Sequence, residues 1–315
     1  MPRFAAVFPG QGSQSLGMLA ELASNYPEVE RTFQEASEVL SRDLWALAQN
    51  GPEDQLNATV NTQPLMLAAG VAIWRVWRQA GGCQPEVMAG HSLGEYTALV
   101  CGGAMDLGDA VVLVAERAAQ MQAAVPEGEG AMAAILGLDD STVIQVCEQA
   151  AQGQVVSAVN FNSPGQVVIA GEAAAIDRAI GLAKDAGAKR AIPLAVSVPS
   201  HCELMRPAAD GLAMHLESTA LRPPRIPVLH NVDVSSHDDV AAIRQALLAQ
   251  LYRPVRWVET VEAFRDRGIV QLIEFGPGKV LTGLTRRIDR SLSCQGVFDE
   301  ASLEKALTIC DGDEA

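Results

Sequence analysis

The sequence predicts an α/β protein: a larger part built on a parallel sheet, with a small α+β unit inserted into it. Three observations carry this expectation. Hydrophobic residues make up 49% of the 315 residues but aromatic residues only 4%. The core is therefore one of Ala, Val, Leu and Ile, which suits alternating strands and helices better than an all-β sandwich. Short apolar runs bounded by glycine and proline alternate with longer segments of helical periodicity. Finally, the stretch from Ala131 to Leu194 reads in the order β-α-β-β-α-β of a ferredoxin-like unit, set off by Pro126-Glu127-Gly128-Glu129-Gly130.

In chain order, Phe4 to Phe8 reads as a buried strand, stopped by Pro9-Gly10-Gln11-Gly12-Ser13-Gln14. These glycines lack the G-x-G-x-x-G spacing, so dinucleotide binding is not supported. Gln11 either belongs to a flexible connection into a helix near Gly17 to Ala23, or stands in a site at the carboxyl edge of the sheet. Residues 28–50 read as helix of mixed charge. Asn61-Thr62-Gln63-Pro64 opens a long apolar helix, Leu65 to Gln79, with Pro64 suited to its first turn and Gly81-Gly82 ending it.

The strand Val87-Met88-Ala89 then runs into Gly90-His91-Ser92-Leu93-Gly94-Glu95, and a helical pattern follows from Tyr96 to Ala104. Strand, sharp turn and helix form the context of a nucleophile elbow. The two glycines let strand and helix approach. Ser92 would sit on the strained turn beside backbone N–H groups able to stabilise an oxyanion. Leu107 to Val125 is the next helix, with Val111, Val114, Ala115, Ala118 and Met121 at helical spacing. Glu116 and Arg117 interrupt that pattern. By periodicity Arg117 is solvated or salt-bridged; among so many alanines it could instead face a cleft and grip a carboxylate bidentately.

The inserted unit comprises strand Ala131 to Leu136, helix Ser141 to Gln149, strands Val155 to Asn160 and Gln166 to Ala170, helix Ala173 to Ala186 and strand Arg190 to Leu194. Beyond it, Ser197-Val198-Pro199-Ser200-His201 places a histidine after a proline turn and before a helix from Glu203 to Thr219. It is either a helix-capping histidine or, with Ser92 upstream, the base of a serine–histidine pair. His91 belongs to the elbow, His215 falls in a helical pattern near the surface, and His237 lies in a polar loop. His230, before Asn231-Val232-Asp233, is a weaker alternative base. Helices Ala241 to Leu251 and Val258 to Arg267 precede the strand Leu272 to Phe275. The Gly276-Pro277-Gly278-Lys279 loop after it lacks the spacing of a nucleotide-binding loop.

The formal net charge of −15 argues against nucleic acid and anionic membranes as general partners. The six cysteines form no C-x-x-C pair and no ligand spacing, so all six are expected to be free thiols in a reducing compartment, with no metal bound. Phe4 to Phe8 is too short for a leader, and Leu65 to Trp74 is too short to span a bilayer. A cytoplasmic monomer is expected, with a disordered acidic tail at 311–315.

An α/β-hydrolase normally supplies an acid between its serine and its histidine in chain order. No acid between Ser92 and His201 sits in a strand-end turn, so a dyad oriented by backbone carbonyls is the simpler expectation. The absent acid weighs against a serine esterase or thioesterase. The intact Ser92, Arg117 and His201 weigh against a non-catalytic binding protein.

Phe8-Pro9-Gly10-Gln11-Gly12-Ser13-Gln14, Thr62-Gln63-Pro64, Gly90-His91-Ser92-Leu93-Gly94-Glu95, Arg117, Asn160-Phe161-Asn162-Ser163-Pro164, Ser200-His201, Asn231-Val232 and Gly276-Pro277-Gly278 follow one another along nearly the whole chain. That ordered set resembles the malonyl-CoA:acyl carrier protein transacylases, acyltransferases of fatty acid synthesis. The resemblance implies an α/β-hydrolase-like catalytic domain, residues 1–127 and 197–315, with a ferredoxin-like subdomain at 128–196. It implies Ser92 as nucleophile, His201 as base, and the backbone N–H groups of Gln11 and Leu93 as oxyanion hole. It further implies Arg117 as clamp for the malonyl carboxylate, Gln63 in that pocket, and the backbone carbonyl of Gln250 orienting His201. Ser200 bears on acyl choice. No cofactor is implied: malonyl-CoA is a substrate, and the phosphopantetheine belongs to the carrier protein. That partner is usually acidic, so a locally basic face is needed, with Lys189, Arg190, Arg286 and Arg287 as candidates.

Overall fold

A computed structural model describes residues 3–195 and 198–311. In chain order the strands are β1 Phe4–Phe8, β2 Val87–Gly90, β3 Gly130–Leu136, β4 Val156–Ser163, β5 Gln166–Glu172, β6 Arg190–Pro193, β7 Val228–Leu229, β8 Gln271–Phe275 and β9 Ser293–Val297. The expected boundary at residues 196 and 197 and the acidic residues 312–315 lie outside the described residues.

Five strands form a parallel sheet in the order β7-β2-β1-β8-β9. β1 is central, and all five of its residues are buried, as a strand covered by helices on both faces must be. Side chains alternate between two cores: Phe4, Ala6 and Phe8 enter one, Ala5 and Val7 the other. On the first face Phe275 stacks on Phe8, with ring centroids 5.6 Å apart, and meets Trp74 and Trp77 edge-on. In this register Phe8 lies opposite Gly90. The two strands therefore end together, and their outgoing loops, Pro9-Gly10-Gln11 and His91-Ser92, lie side by side.

The second sheet is antiparallel, in the order β4-β5-β3-β6. With helices Asp140–Ala151 and Ala173–Asp185 it completes the ferredoxin-like order expected from sequence. Ala133, Ile135, Val167 and Ile169 face these helices in a core of their own. The opposite face, carrying Met132, Val159 and Val168, packs with Cys202 beside the His201 segment.

Several boundaries differ from expectation. The long apolar helix spans Thr59–Gln79 and carries Pro64 inside it rather than in its first turn. Pro64 forfeits only the bond to Val60, one turn from the end, and that turn is anchored by Thr62 Oγ1, 2.7 Å from the Leu56 carbonyl. Residues 28–50 form two helices, Glu28–Leu40 and Leu44–Asn50. Ser41 turns left-handed at φ 51°, and the Asp43 side chain accepts from the Ala46 N–H to cap the second. Helix Val280–Ile288, strand β9 and helix Glu300–Asp311 lie outside the elements expected from the sequence; β9 pairs in parallel with β8, and both helices pack on β9.

The expectation of six free thiols fails at two positions. Cys83 and Cys310 form a disulfide, Cα atoms 5.5 Å apart. The last helix docks against the loop after Gln79 and brings together cysteines 227 residues apart, a pairing that spacing cannot reveal. Cys101, Cys147, Cys202 and Cys294 are free. Among the described residues no helix is long and apolar enough to cross a membrane.

Candidate active site

Ser92 stands between β2 and helix Gly94–Cys101 with φ 52°, in the left-handed region that costs a non-glycine residue about 1–3 kcal/mol. The turn can form only because strand and helix nearly touch. A Cβ on Gly90 would lie 1.8 Å from the Gly94 carbonyl carbon, and one on Gly94 would lie 2.0 Å from the Phe8 oxygen. The strain is held by Asn231. Its Oδ1 accepts from the Ser92 N–H at 2.8 Å, and its Nδ2 donates to the Gly90 carbonyl at 2.7 Å. Asn231 is itself held by Glu95, which accepts from its backbone N–H at 2.9 Å.

His201 Nε2 lies 2.8 Å from Ser92 Oγ, and His201 Nδ1 lies 2.6 Å from the Gln250 carbonyl oxygen. A carbonyl only accepts, so the proton sits on Nδ1, and Nε2 is free to accept from the serine hydroxyl. Burial, reinforced by the nearby Arg117 charge, pulls the His201 pKa down to about 3. The imidazole is therefore neutral at ordinary pH, the state a general base requires.

Arg117 does not follow the solvated default of its helix pattern. Only 1% of its surface is exposed, and its guanidinium lies 5.4 Å from the centre of the Tyr96 ring. Nη1 donates to Gln63 Oε1 at 2.7 Å and Nη2 to Gln250 Oε1 at 3.0 Å; Nη2 is also 3.5 Å from Ser92 Oγ. Among the described residues its Nε–H has no partner, and no carboxylate lies at ion-pair distance from it. Burial lowers its pKa and raises that of Tyr96 to about 12. A buried cation without an ionic partner, beside an activated serine, is arranged to receive an anion.

The nucleophile and the neutral base line one cleft of about 160 Å³, together with Gln11 and Met132, and the buried Arg117 cation lies behind Ser92, 3.5 Å from its Oγ. The model of the acyl transferase domain matches residues 6–301. The chain belongs to the acyl transferase family.

This acyltransferase is 59% identical to the malonyl CoA-acyl carrier protein transacylase of Salmonella typhimurium, over 98% of the chain and all of the relative. Among solved structures it is similar to an acyl carrier protein S-malonyltransferase from Vibrio cholerae, with 60% identity and a TM-score of 0.94 over 96% of this chain and 99% of that one. It is likewise similar to a malonyl-transacylase solved with its type II polyketide synthase acyl-carrier protein. There the identity is 61% and the TM-score 0.96, over 97% of this chain and 99% of that one.

The remaining candidate residues are located as follows. Gln11 lines the cleft beside Ser92, and Ser200 lines it beside His201. The backbone N–H groups of Gln11 and Leu93 make no hydrogen bond among the described residues. Gln63 is fully buried against Arg117 and Met121. Of the other histidines, His91 bonds Asn162 at 2.8 Å, and burial lowers its pKa. His230 bonds Glu95 at 2.7 Å, and the histidine on Ser92 Oγ is His201. His215 and His237 are partly exposed beside Glu116 and Asp233.

Two parts of the site escaped sequence reasoning. Glu95 and Asn231 were legible only as motif letters, although an acid in the first turn of the elbow helix is a usable signal. For Gln250 only the backbone was expected to matter. Its side chain also bonds Arg117, the Ser92 carbonyl and Glu95.

Lys189, Arg190, Arg286 and Arg287 are all exposed. The two pairs are closer in space than in sequence. Arg287 donates to the Gln166 side chain at 2.7 Å; Gln166 pairs with Leu136 across β5 and β3, and Leu136 pairs with Arg190 across β3 and β6. Two strand spacings, about 10 Å, therefore separate the Gln166 and Arg190 backbones.

Proposed function

We propose that this acyltransferase carries the malonyl group from malonyl-CoA to the phosphopantetheine thiol of an acyl carrier protein, through an ester on Ser92. The observation that carries this reading is the Arg117 guanidinium, buried without an ionic partner among the described residues and 3.5 Å from Ser92 Oγ. A malonyl carboxylate supplies the missing anion, whereas a plain acetyl group leaves the cation unpaired.

The chemistry needs no resident cofactor. Ser92 Oγ attacks the thioester carbonyl as its proton passes to His201 Nε2. The resulting oxyanion is placed to accept from the N–H groups of Gln11 and Leu93. Collapse breaks the carbon–sulfur bond, and the departing CoA sulfur takes the proton from His201. In the second half His201 deprotonates the carrier thiol, which attacks the Ser92 ester, and Ser92 Oγ recovers the proton. The Gln250 carbonyl keeps Nε2 pointed at Oγ throughout.

We assign the catalytic unit to residues 1–127 and 197–315 and the small subdomain to 128–196. The basic strip of Lys189, Arg190, Arg286 and Arg287 is the proposed dock for the acidic carrier protein.

Intact mass after brief mixing with malonyl-CoA tests the reading. A single malonyl adduct should form on the wild type, be absent from Ser92→Ala, and be discharged by a carrier-protein thiol. Release of malonate into water at the same rate with or without the thiol acceptor would replace this reading with a thioesterase.

A further inference from the structure

Arg117 can serve as a clamp only if its position relative to Ser92 is fixed, and one side chain does this. The Gln250 amide faces three partners of fixed polarity. Arg117 can only donate, and its Nη2 meets Gln250 Oε1 at 3.0 Å. The Ser92 carbonyl can only accept, and Gln250 Nε2 donates to it at 2.9 Å. The Glu95 carboxylate also accepts from Nε2, at 2.9 Å. A flipped amide would set N–H against N–H at Arg117 and oxygen against oxygen at the other two, so the orientation is imposed by the surroundings. The Ser92 carbonyl already accepts from the Glu95 N–H, which leaves the fully buried Glu95 carboxylate as the stronger anchor.

We propose that the Gln250 side chain, anchored by Glu95, is the positioning residue that sets the distance from Arg117 to Ser92 and thereby the length of carboxyacyl group the enzyme accepts. One end of the amide holds the nucleophile's own backbone and the other holds the clamp. Gln63 fixes the guanidinium from the other side at 2.7 Å. With Nη2 3.5 Å from Oγ, the span fits a carboxylate one methylene away from the reacting carbonyl. A group with two methylenes needs the guanidinium to retreat, which both glutamine bonds resist. A group with none of this charge leaves the clamp empty.

This inference rests on Arg117 being the carboxylate clamp, and the experiment separates the two. Single-turnover acylation of Ser92 is measured with malonyl-CoA, succinyl-CoA and acetyl-CoA for wild type, Gln250→Leu, Glu95→Gln and Arg117→Ala. Gln250→Leu keeps the backbone carbonyl that orients His201. It is expected to lower the malonyl-to-acetyl and malonyl-to-succinyl ratios by about tenfold each, the size of one hydrogen bond to a charged group. Glu95→Gln is nearly isosteric and weakens the anchor together with the bonds to Asn231 and His230, so a general slowing is expected with it, but both ratios should shift in the same direction as in Gln250→Leu; it carries the test if Gln250→Leu does not fold. Equal loss for all three acyl groups means that Gln250 merely supports the fold, and it overturns the inference. Ratios lost in Arg117→Ala but intact in both other variants also overturn it while leaving the clamp in place. Ratios intact in Arg117→Ala overturn the clamp itself.

Discussion

The Nδ1 atom of His201 lies 2.6 Å from the backbone carbonyl oxygen of Gln250, in the position where a serine hydrolase would place a carboxylate. A carbonyl fixes the same tautomer but brings no negative charge, so its hydrogen bond offsets only part of the effect of burial and of Arg117 on the imidazole. The base is therefore weaker and stays neutral far into acid.

This sets the pH dependence. With the His201 pKa near 3 instead of its ordinary 6.5, Ser92 acylation by malonyl-CoA should stay flat from pH 8 down to about 5. Rapid-quench acylation rates would show a fall centred near 6.5 if the imidazole titrated normally. Stability moves as well. The unfolded state binds a proton below 6.5 that the folded state refuses until about 3, so this residue makes unfolding easier as pH drops through that window. Urea midpoints across the same range measure it.

Asn231→Leu removes both bonds that brace the elbow and takes from the Ser92 N–H and the Gly90 carbonyl the side-chain partner each has at the turn. Each lost partner costs about 1–3 kcal/mol. Chemical denaturation should show a loss in that range or larger. Ser92 acylation should slow even at temperatures where the variant is folded, because the φ 52° turn is no longer held.

Gly94→Ala tests the close approach of β1 and the elbow helix. Its Cβ would meet the Phe8 carbonyl oxygen at 2.0 Å, and neither backbone can give way. We expect a loss exceeding about 3 kcal/mol, the upper range for overpacking, seen as a lowered Tm or as insoluble protein. Gly283→Ala is the matched control: nothing lies within 4 Å of its Cβ, and Tm should hold.

Charge reversal at Arg190 and Arg287 tests the basic strip. Both are exposed, on opposite sides of the same sheet end. The double variant Arg190→Glu/Arg287→Glu should raise KM for the carrier protein several-fold and flatten its salt dependence, while malonyl-CoA acylation of Ser92 is unchanged. An unchanged carrier-protein KM removes these residues from the dock.

Local pattern is enough for the elbow, because the features that make it are near neighbours. Gly90, Ser92 and Gly94 act over a few residues, and the apolar strand before them and helix after them announce the turn. The β-α-β-β-α-β order of the inserted unit is legible because each element has its own periodicity. Arg117 is different. Its helix pattern points to solvent, and it is buried only because Gln63 and Gln250, 54 and 133 residues away, supply acceptors inside the core. The disulfide between Cys83 and Cys310, the parallel strand β9, and the bonds of Glu95 to His230, Asn231 and Gln250 are likewise products of chain segments meeting in space. Periodicity reports which face of an element is apolar. It carries no information on which distant polar group will satisfy a buried charge, and here that choice sets the geometry of the site.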